Sequence, residues 1–507
     1  MDKLVAAVEG FNSYFWILVI ILLIGSGLLY CWRTFFVQVR YLPDMFKAVV
    51  EKPSDISEGQ KGISAFKAFT ISAASRVGTG NVAGVALAVA IGGPGAVFWM
   101  WMMSLVGGAT SFVESTLAQV YKVRDIDSYR GGPAYYMSRA LGWKWMAVLF
   151  AVVICVTYGF VFNAVQSNSI TAAVETSTGN SSMSVKVIVG LILATLTAII
   201  ISGGVRRISV VTQTVVPVMA VLYIVLAFVV IVLNLDKVPA MFSLIFSHAF
   251  GIREFAGATL GTVIMQGIRR GLFSNEAGQG SAPNAAATAS VSHPVKQGLI
   301  QTLGVYFDTW VVCTATAFII LLAQPDLVAS EGGMALTQNA LADSVGQWGI
   351  HFLTLVIIFL AFSSIVGNYY YGESNIEYMT NNNRTVLKCF RALVTLCVFG
   401  GAIGSVPLVW ALADVFSGLM ATVNLISLLP LSGVAILLLK HYAVQRRQGL
   451  NPVFLRRDLP KRTIGWDKMQ CWDGDDAITS RDDRYEGLDY GWKTDAASIA
   501  KNAEEGK

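Results

Sequence analysis

The chain has 507 residues, of which 54% are hydrophobic and 14% are charged, and its formal net charge at pH 7 is +5. Soluble domains carry about 25% charged residues, and a mean hydropathy of +0.59 does not suit a water-soluble core. The positive charge does not indicate nucleic-acid binding, because the lysines and arginines form short clusters between apolar runs instead of one basic face. The composition therefore predicts an integral membrane protein.

The cysteines and histidines give no sign of a metal centre or of enzymatic chemistry. Five of the six cysteines lie in or beside apolar runs, and none belongs to a CxxC pair. The four histidines form no HExxH motif, and no GxSxG motif is present. We therefore expect buried thiols instead of disulfides, no resident cofactor and no enzymatic activity.

Apolar runs that approach or reach the length needed to cross about 30 Å of hydrocarbon recur along the chain. The first run, residues 14–30, lacks the basic region and the cleavage site of a signal peptide, so that we expect it to remain as a helix. The predicted fold class is an all-α membrane protein with eleven transmembrane helices. Their predicted bounds are residues 14–36, 66–91, 94–121, 145–173, 185–203, 208–233, 255–290, 297–323, 348–380, 388–406 and 408–440.

The distribution of lysine and arginine orients these helices. If the amino terminus lies outside, the inward segments contain 30 of the 37 basic residues and the outward segments contain four. Because basic residues concentrate on the cytoplasmic side, the sequence predicts a multi-pass protein of the plasma membrane, the bacterial inner membrane, with its amino terminus outside. The polar residues 441–507 then form a cytosolic tail, which we expect to be partly disordered near Lys507.

Glycine and polar residues interrupt two of the predicted helices. The second helix contains residues 73–84, AASRVGTGNVAG, and the seventh contains residues 271–284, GLFSNEAGQGSAPN. A lipid-facing helix has no need of such residues, and backbone groups that lose their hydrogen bonds at this depth must line a cavity. Alternatively, the glycines could serve only for close packing of helices. The two stretches lie at equivalent positions, which argues against this alternative.

The positions of the two interruptions predict an internal repeat. Once the first helix is set aside, the interrupted helices are the first and the sixth of the remaining ten, so that each opens a group of five. An odd number of helices gives the two groups opposite orientations, which is typical of inverted-repeat transporters. We divide the chain into an N-terminal helix with its linker (1–65), a first repeat (66–233), a second repeat (234–440) and the tail (441–507).

An interrupted helix can bind two kinds of ligand. Unpaired N–H groups at a half-helix start near Gly80 and Asn81 suit a carboxylate, whereas freed carbonyl groups near Ala74 and Val77 suit a sodium ion. The glycines let a ligand approach the backbone closely. Residues 78–83 also match the GxGxxA fingerprint of dinucleotide sites, but no strand precedes them.

Four stretches resemble the alanine or glycine:cation symporter family. They are residues 78–81 (GTGN), 92–101 (GGPGAVFWMW), 130–133 (RGGP) and 271–284, and the resemblance covers roughly residues 14–440. It implies a leucine-transporter-type 5+5 inverted repeat with one extra N-terminal helix. It also implies sodium-coupled import of a small neutral amino acid, alanine or glycine, by alternating access, with proton coupling in some members.

The resemblance implies a substrate site formed by both interruptions and by the third core helix. Its residues are Thr79, Gly80 and Asn81, which bind the carboxylate, together with Gln166, Phe273, Ser274 and Asn275. Hydrogen bonding between neighbouring helices is the alternative role of the amide side chains.

The resemblance also implies a sodium site formed by two hydroxyl and three carbonyl oxygens. These oxygens belong to Ser363 and Ser364 and to Ala74, Val77 and Leu360. Five oxygens without a carboxylate suit a monovalent cation, because calcium and magnesium sites usually include carboxylates. Simple packing of the two serines is the alternative.

Several charged residues fall within apolar spans, where an unpaired charge costs at least about 2.5–3.5 kcal/mol. We expect Arg269 and Arg270, on the outward side of the second interruption, to act in a vestibule or gate, or to snorkel to the interface. Glu276 could pair with Arg76, cap the following half-helix or take up a proton, and we favour pairing or capping. Two further carboxylates are expected in structural pairs whose partners the sequence does not identify: Glu114 and Asp308.

The sequence leaves other functions open. A carrier of glutamine or serine, coupled to sodium or to protons, is the main alternative. A channel and a transporter-like receptor that signals through its tail are further ones. The expected partners are an amino acid, a sodium ion and the lipid bilayer, and not nucleic acid.

Overall fold

The chain folds into a bundle of helices whose bounds agree with most of the predicted spans. The computed structural model describes residues 2–51, 55–57, 60–125, 128–252, 259–325, 327 and 333–492. The α-helices are α1 (Asp2–Arg33), α2 (Val37–Arg40), α3 (Leu42–Val49), α4 (Ala65–Arg76), α5 (Val85–Gly92), α6 (Ala96–Val120), α7 (Pro133–Arg139), α8 (Lys144–Val156), α9 (Phe162–Thr178), α10 (Met183–Ile201), α11 (Gly204–Leu233), α12 (Val238–Ala249), α13 (Leu260–Asn275), α14 (Ala282–Ala287), α15 (Pro294–Tyr306), α16 (Thr314–Ala323), α17 (Gly333–Val345), α18 (Trp348–Thr380), α19 (Arg384–Ile403) and α20 (Val406–Arg447). Two antiparallel ribbons pair β1 (Asp55–Ser57) with β2 (Gln60–Lys61) and β3 (Val123–Arg124) with β4 (Tyr129–Arg130).

Three π-helical turns, Gly80–Gly84, Thr157–Val161 and Phe307–Cys313, adjoin these helices. The second and third join α8 to α9 and α15 to α16, so that Lys144–Thr178 and Pro294–Ala323 each form one long span. A π-helical turn is a local widening of the helix that is frequently found at functional sites. The first and the third of these turns contribute residues to the site described below.

Among the described residues, nine helices are long and apolar enough to cross a membrane, and a pair bent by 50°, Ala65–Arg76 and Gly80–Gly92, makes a tenth. The predicted span 348–380 coincides with α18. The predicted span 255–290 is broken within the stretch 271–284, where the sequence predicts an interruption: α13 and α14 are separated by residues 276–281, and α14 is too short to span a membrane alone. Residues 255–258 lie outside the described part of the chain.

The helices divide into an interior group and a group that faces lipid. Every residue of the stretch 107–120 in α6 is buried. In contrast, Ile188 of α10 is 57% exposed, Phe228 of α11 is 64% exposed and Leu396 of α19 is 63% exposed. Exposed apolar residues of this kind are what a helix presents to hydrocarbon. The polar interrupted regions described below therefore lie behind a lipid-facing layer.

The polar segment after α20 is packed against the bundle. Within residues 448–492, Trp472 is 1% exposed, and its Nε1 donates to the carbonyl oxygen of Gln119 at 3.1 Å. The N–H of Phe454 donates to the carbonyl oxygen of Ser292 at 2.9 Å. The described part of the predicted tail thus contacts α6 and the residues before α15, while the predicted disorder near Lys507 lies outside the described residues.

Lys122, just beyond the end of α6, joins this segment to the residues that follow α14. Its Nζ lies 3.7 Å from the ring centre of Tyr129 and 4.8 Å from that of Trp472, and it donates to the carbonyl oxygen of Ala289 at 3.0 Å. Burial lowers the pKa of Lys122 to about 8. The two rings and the carbonyl group replace part of the hydration that the ammonium group loses.

We expect Trp472→Ala to loosen the segment 448–492, because removing a buried tryptophan costs about 3–5 kcal/mol. Limited trypsin digestion of the purified protein should then cut this segment faster than in the unsubstituted protein. Asp483→Ala is the control, since Asp483 is an exposed residue of the same segment and its substitution removes no trypsin cleavage site. Equal digestion of Trp472→Ala and the unsubstituted protein would show that Trp472 does not hold the segment.

Candidate functional site

The two interrupted regions face each other inside the bundle. A side-chain carbon added at Gly80 would lie 3.0 Å from the ring of Phe273. One added at Gly78 would lie 2.2 Å from Ser364 Oγ and 2.9 Å from Gln166 Oε1. These approaches require glycine, because it alone has no Cβ. The structure therefore brings together predicted residues from both interruptions, from α9 and from α18.

Side-chain oxygens hold the N–H groups that the first interruption frees. The N–H of Gly78, which would bond to Ala74 in a continuous helix, donates to Asn81 Oδ1 at 2.9 Å. The N–H of Thr79 donates to Gln166 Oε1 at 3.0 Å. Two successive N–H groups thus face exchangeable side-chain oxygens instead of helix carbonyls, and such groups can receive an anion.

The same interruption contributes to a cluster of buried oxygen atoms. Ser364 Oγ lies 2.7 Å from the carbonyl oxygen of Ala74 and 3.0 Å from that of Leu360. It lies 3.4 Å from the carbonyl oxygen of Val77. One hydroxyl proton cannot satisfy three acceptors, so that the cluster suits a cation. Ser363 joins it only through Leu360, to which its Oγ donates at 2.8 Å.

The second interruption turns the backbone with three residues of positive φ: Glu276 (57°), Gly278 (90°) and Gly280 (80°). The Glu276 carboxylate accepts hydrogen bonds from Ser75 Oγ and Ser281 Oγ, both at 2.7 Å. Ser281 immediately precedes α14, and Ser75 belongs to α4. Glu276 therefore links the first interrupted helix to the second half of the other.

Arg76 does not form the ion pair with Glu276 that the sequence allowed. Its Nη1 donates to the carbonyl oxygen of Gln301 at 3.3 Å, and its Nε and Nη2 have no hydrogen-bond partner. The pairing interpretation of Glu276 is therefore wrong. The reason is geometric: the turn at Glu276 directs its carboxylate to two serines, and the guanidinium group reaches α15 instead.

Glu114 holds the second interruption from α6. Its Oε1 accepts a hydrogen bond from the N–H of Gly278 at 3.1 Å, and its Oε2 accepts one from Asn424 Nδ2 at 2.8 Å. Glu114, whose partner the sequence did not identify, is thus held by two amide groups, one of the backbone and one of a side chain. A carboxylate that accepts a backbone N–H satisfies a donor that the broken helix would otherwise leave unpaired.

Asp308, in the third π-helical turn, contacts both interruptions. Its Oδ1 accepts a hydrogen bond from Asn81 Nδ2 at 2.6 Å, and its Oδ2 accepts one from Ser274 Oγ at 2.7 Å. The sequence did not place Asp308 in the site. The only feature of the sequence that indicated a role for Asp308 is that a carboxylate lies within an apolar run. Its contact with Asn81 could not be predicted, because the two residues are 227 positions apart along the chain.

The predicted gating arginines border the second interruption. Arg270 Nη2 lies 2.5 Å from Asp414 Oδ2, and Arg269 Nη1 lies 3.9 Å from the same oxygen. The Arg270 guanidinium lies 5.1 Å from the ring centre of Trp410, whose ring centre is 5.0 Å from that of Phe273. An ion pair and an aromatic contact therefore connect α20 to the predicted substrate residues.

Thr79 and Asn275, two further residues of the predicted substrate site, differ in whether their side chains form hydrogen bonds. Thr79 Oγ1 is buried without a hydrogen-bond partner. Asn275 donates to Thr309 Oγ1 at 3.2 Å and accepts the N–H of Ala277 at 3.0 Å. Thr79 is thus free to contact a ligand, whereas Asn275 closes the end of α13.

Comparisons with known proteins identify the family of this chain. Residues 1–456 match the sodium:alanine symporter family. The chain is 49% identical over 463 residues to the amino-acid carrier protein AlsT of Bacillus subtilis, covering 91% of this chain and 96% of AlsT. It is 47% identical over 469 residues to the probable sodium/glutamine symporter GlnT of the same species, covering 92% and 96%.

A solved structure supports the fold. The crystal structure of MhsT in complex with L-phenylalanine superposes with a TM-score of 0.54 at 14% identity, covering 82% of this chain and 96% of MhsT. At that identity the likeness concerns the fold alone, which is of the leucine-transporter type. The family match extends over residues 1–456, and the two relatives are 49% and 47% identical to the chain. The chain therefore belongs to the sodium:alanine symporter family.

Proposed function

We propose that this protein is a sodium-coupled symporter that imports a small neutral amino acid, alanine or glycine, by alternating access. The observation that carries the proposal is the first interruption, where two N–H groups and three carbonyl oxygens meet exchangeable side-chain partners. Membership of the family supports both the ion and the substrate class. The protein is a carrier and not an enzyme.

The proposed architecture has eleven transmembrane helices, counting α13 and α14 as one broken span. The helix α1 is then the extra N-terminal helix, and residues 66–233 and 234–440 form the two inverted repeats. The amino terminus lies outside and residues 441–507 lie in the cytosol of a bacterial cell. The opposite orientation of the repeats places both interruptions at the same depth.

The proposed sodium site consists of the oxygens around Ser364. The Ser364 hydroxyl group now donates toward a group of carbonyl oxygens. When a sodium ion binds, the hydroxyl oxygen and these carbonyl oxygens would all contact the ion, and the hydroxyl proton would turn away from them. The residues are Ala74, Val77, Leu360, Ser363 and Ser364. The absence of a carboxylate from this set favours a monovalent cation over calcium or magnesium.

The proposed carboxylate site lies at the N–H groups of Gly78 and Thr79. Gln166 Oε1 accepts the Thr79 N–H in the present arrangement, and a substrate carboxylate would take its place with Gln166 then free to bind the substrate. Thr79 Oγ1 is a buried polar atom still without a partner. Phe273 lies against Gly80, so that an aromatic ring borders this site.

Import of glutamine with the same ion is the second candidate function. It rests on the relative named as a probable sodium/glutamine symporter, which is 47% identical to this chain. The two candidates differ in the volume that must open beside Phe273, because glutamine has four more heavy atoms than alanine.

Two sets of contacts would open in turn during transport. On one side of the site, the Arg270–Asp414 pair and Trp410 cover Phe273. On the other side, the N–H of Ser290 donates to the carbonyl oxygen of Ile63 at 2.9 Å and joins the ends of the two interrupted helices. We assign the first set to the outer gate and the second to the inner gate.

The transport activity is tested directly in proteoliposomes. An inward sodium gradient should drive accumulation of radiolabelled alanine, and unlabelled glycine should compete with it more strongly than glutamine. Uptake that is equal with and without a sodium gradient would contradict sodium coupling. Stronger competition by glutamine would select the second candidate substrate.

We expect Ser364→Ala to raise the sodium concentration needed for half-maximal alanine uptake about tenfold, which corresponds to about 1.4 kcal/mol. The substitution removes the oxygen that contacts three carbonyl groups. Ser374→Ala is the matched control, because Ser374 is a buried serine of the same helix whose Oγ has no hydrogen-bond partner. An unchanged sodium dependence in Ser364→Ala would remove Ser364 from the ion site.

We expect Gly80→Ala to raise the KM for alanine at least about fivefold, because overpacking costs about 1–3 kcal/mol. Its Cβ would lie 3.0 Å from Phe273, whereas the Cβ of Gly84→Ala would lie 3.6 Å from Trp410, an ordinary contact. Gly84→Ala in the same π-helical turn is therefore the control. Similar KM values in the two variants would argue against a tight substrate site at Gly80.

A further inference from the structure

An apolar groove lies on the surface of the bundle beside the short helices α2 and α3. Its volume is about 700 Å³. The lining includes Leu42 and Phe46 of α3, Phe69 of α4 and Trp310 of the π-helical turn Phe307–Cys313, and none of the described lining residues is charged. Phe46 and Trp310 are both exposed. The groove is therefore open to the hydrocarbon of the bilayer.

The groove extends from the middle of the bundle to its cytosolic end in the proposed orientation. At one end, Gln38 donates to the carbonyl oxygen of Leu105, near the middle of α6, at 3.4 Å. At the other end, Val50 is followed by Glu51, which pairs with Lys296 at the start of α15. The groove thus follows the direction that a lipid chain takes in the cytoplasmic leaflet.

A polar cavity of about 250 Å³ adjoins the cytosolic end of the groove, and Val50 lines both. Among its described lining residues are three cations and two carboxylates, which give it one net positive charge: Lys47, Lys296, Arg446, Asp44 and Glu51. Lys296 pairs with Glu51, and Arg446 pairs with Asp44. Within the described part of the chain, Lys47 forms no ion pair.

Two buried polar atoms of the residues that line this cavity have no hydrogen-bond partner. Arg446 Nε is a donor without an acceptor, and Glu51 Oε2 is an acceptor without a donor. Buried polar groups are normally satisfied. A phosphate oxygen would accept from Arg446 Nε, and a hydroxyl group would donate to Glu51 Oε2. The cavity therefore suits a phosphodiester that also carries a hydroxyl group.

We infer that the groove and the cavity together bind one anionic phospholipid of the cytoplasmic leaflet, with an acyl chain in the groove and the headgroup in the cavity. Basic pockets on the cytoplasmic side of membrane helices bind anionic headgroups, and the unpaired Lys47 supplies the charge here. A zwitterionic lipid fits the groove equally well, but it leaves the net charge of the cavity without a counter-ion.

The lipid would contact helices that also form the proposed transport site. Phe69 belongs to α4, five residues before Ala74, and Trp310 lies in the same π-helical turn as Asp308. A movement of α4 against α15 during transport would therefore change the width of the groove. The lipid site is separate from the proposed ion and substrate sites, and its existence does not depend on what the protein carries.

The test uses the full-length protein, freed of lipid in a neutral detergent, without alanine. Native mass spectrometry measures the binding of phosphatidylglycerol and of phosphatidylcholine with the same acyl chains. We expect one phosphatidylglycerol per chain to bind at least about fivefold more tightly than phosphatidylcholine, because only phosphatidylglycerol has a net negative charge. Equal affinities for the two lipids overturn the inference.

Lys47→Ala tests the headgroup cavity. It should weaken the binding of phosphatidylglycerol about fivefold, which corresponds to about 1 kcal/mol, and leave that of phosphatidylcholine unchanged. Lys144→Ala is the matched control, because Lys144 is an exposed lysine at the start of α8, outside the cavity. If Lys47→Ala binds phosphatidylglycerol as tightly as Lys144→Ala does, the headgroup is not held in this cavity and the inference fails.

Phe46→Ala tests the groove. It should weaken the binding of both lipids about threefold, because the acyl chain loses its contacts with the ring. Phe228→Ala is the matched control, since Phe228 of α11 is 64% exposed and Phe46 is 59% exposed. Equal lipid binding by the two variants overturns the inference. So does a lipid-free dimer that Phe46→Ala dissociates, because a second copy of the chain would then cover the groove.

Discussion

Backbone groups that lose their helical hydrogen bonds inside a membrane must find other partners, and this constraint organises the centre of the protein. At the first interruption, Asn81 and Gln166 accept the N–H groups of Gly78 and Thr79, and Ser364 approaches three carbonyl oxygens. These partners are uncharged amide and hydroxyl groups of side chains. A ligand with a carboxylate and a monovalent cation can replace them without leaving a backbone group unpaired, which is what reversible binding at this depth requires.

The same constraint explains why carboxylates are tolerated here. Glu114 and Glu276 satisfy the second interruption through Gly278 and Ser281. Arg270 lies in α13 before the second interruption, pairs with Asp414 of α20 and contacts the ring of Trp410. The buried charges and the two interruptions therefore belong to one connected set of residues.

The sequence predicts the features that depend on local composition. The bounds of α18 and the breaks in residues 73–84 and 271–284 follow from hydropathy and from glycine content. The side-chain partners do not follow, because they depend on how helices rotate against each other. For this reason the pairing of Glu276 with Arg76 was wrong and the packing of Trp472 was not foreseen. The roles of the site residues remain predictions that the geometry supports.

A structure of the protein determined with sodium and alanine present would show directly whether the first interruption binds both ligands. We expect an ion in contact with the carbonyl oxygens of Ala74 and Val77 and with Ser364 Oγ, and an alanine carboxylate on the N–H groups of Gly78 and Thr79. Gln166 should then have left the Thr79 N–H. A ligand bound elsewhere, with the present hydrogen bonds of Gly78 and Thr79 intact, would show that the first interruption is not the binding site.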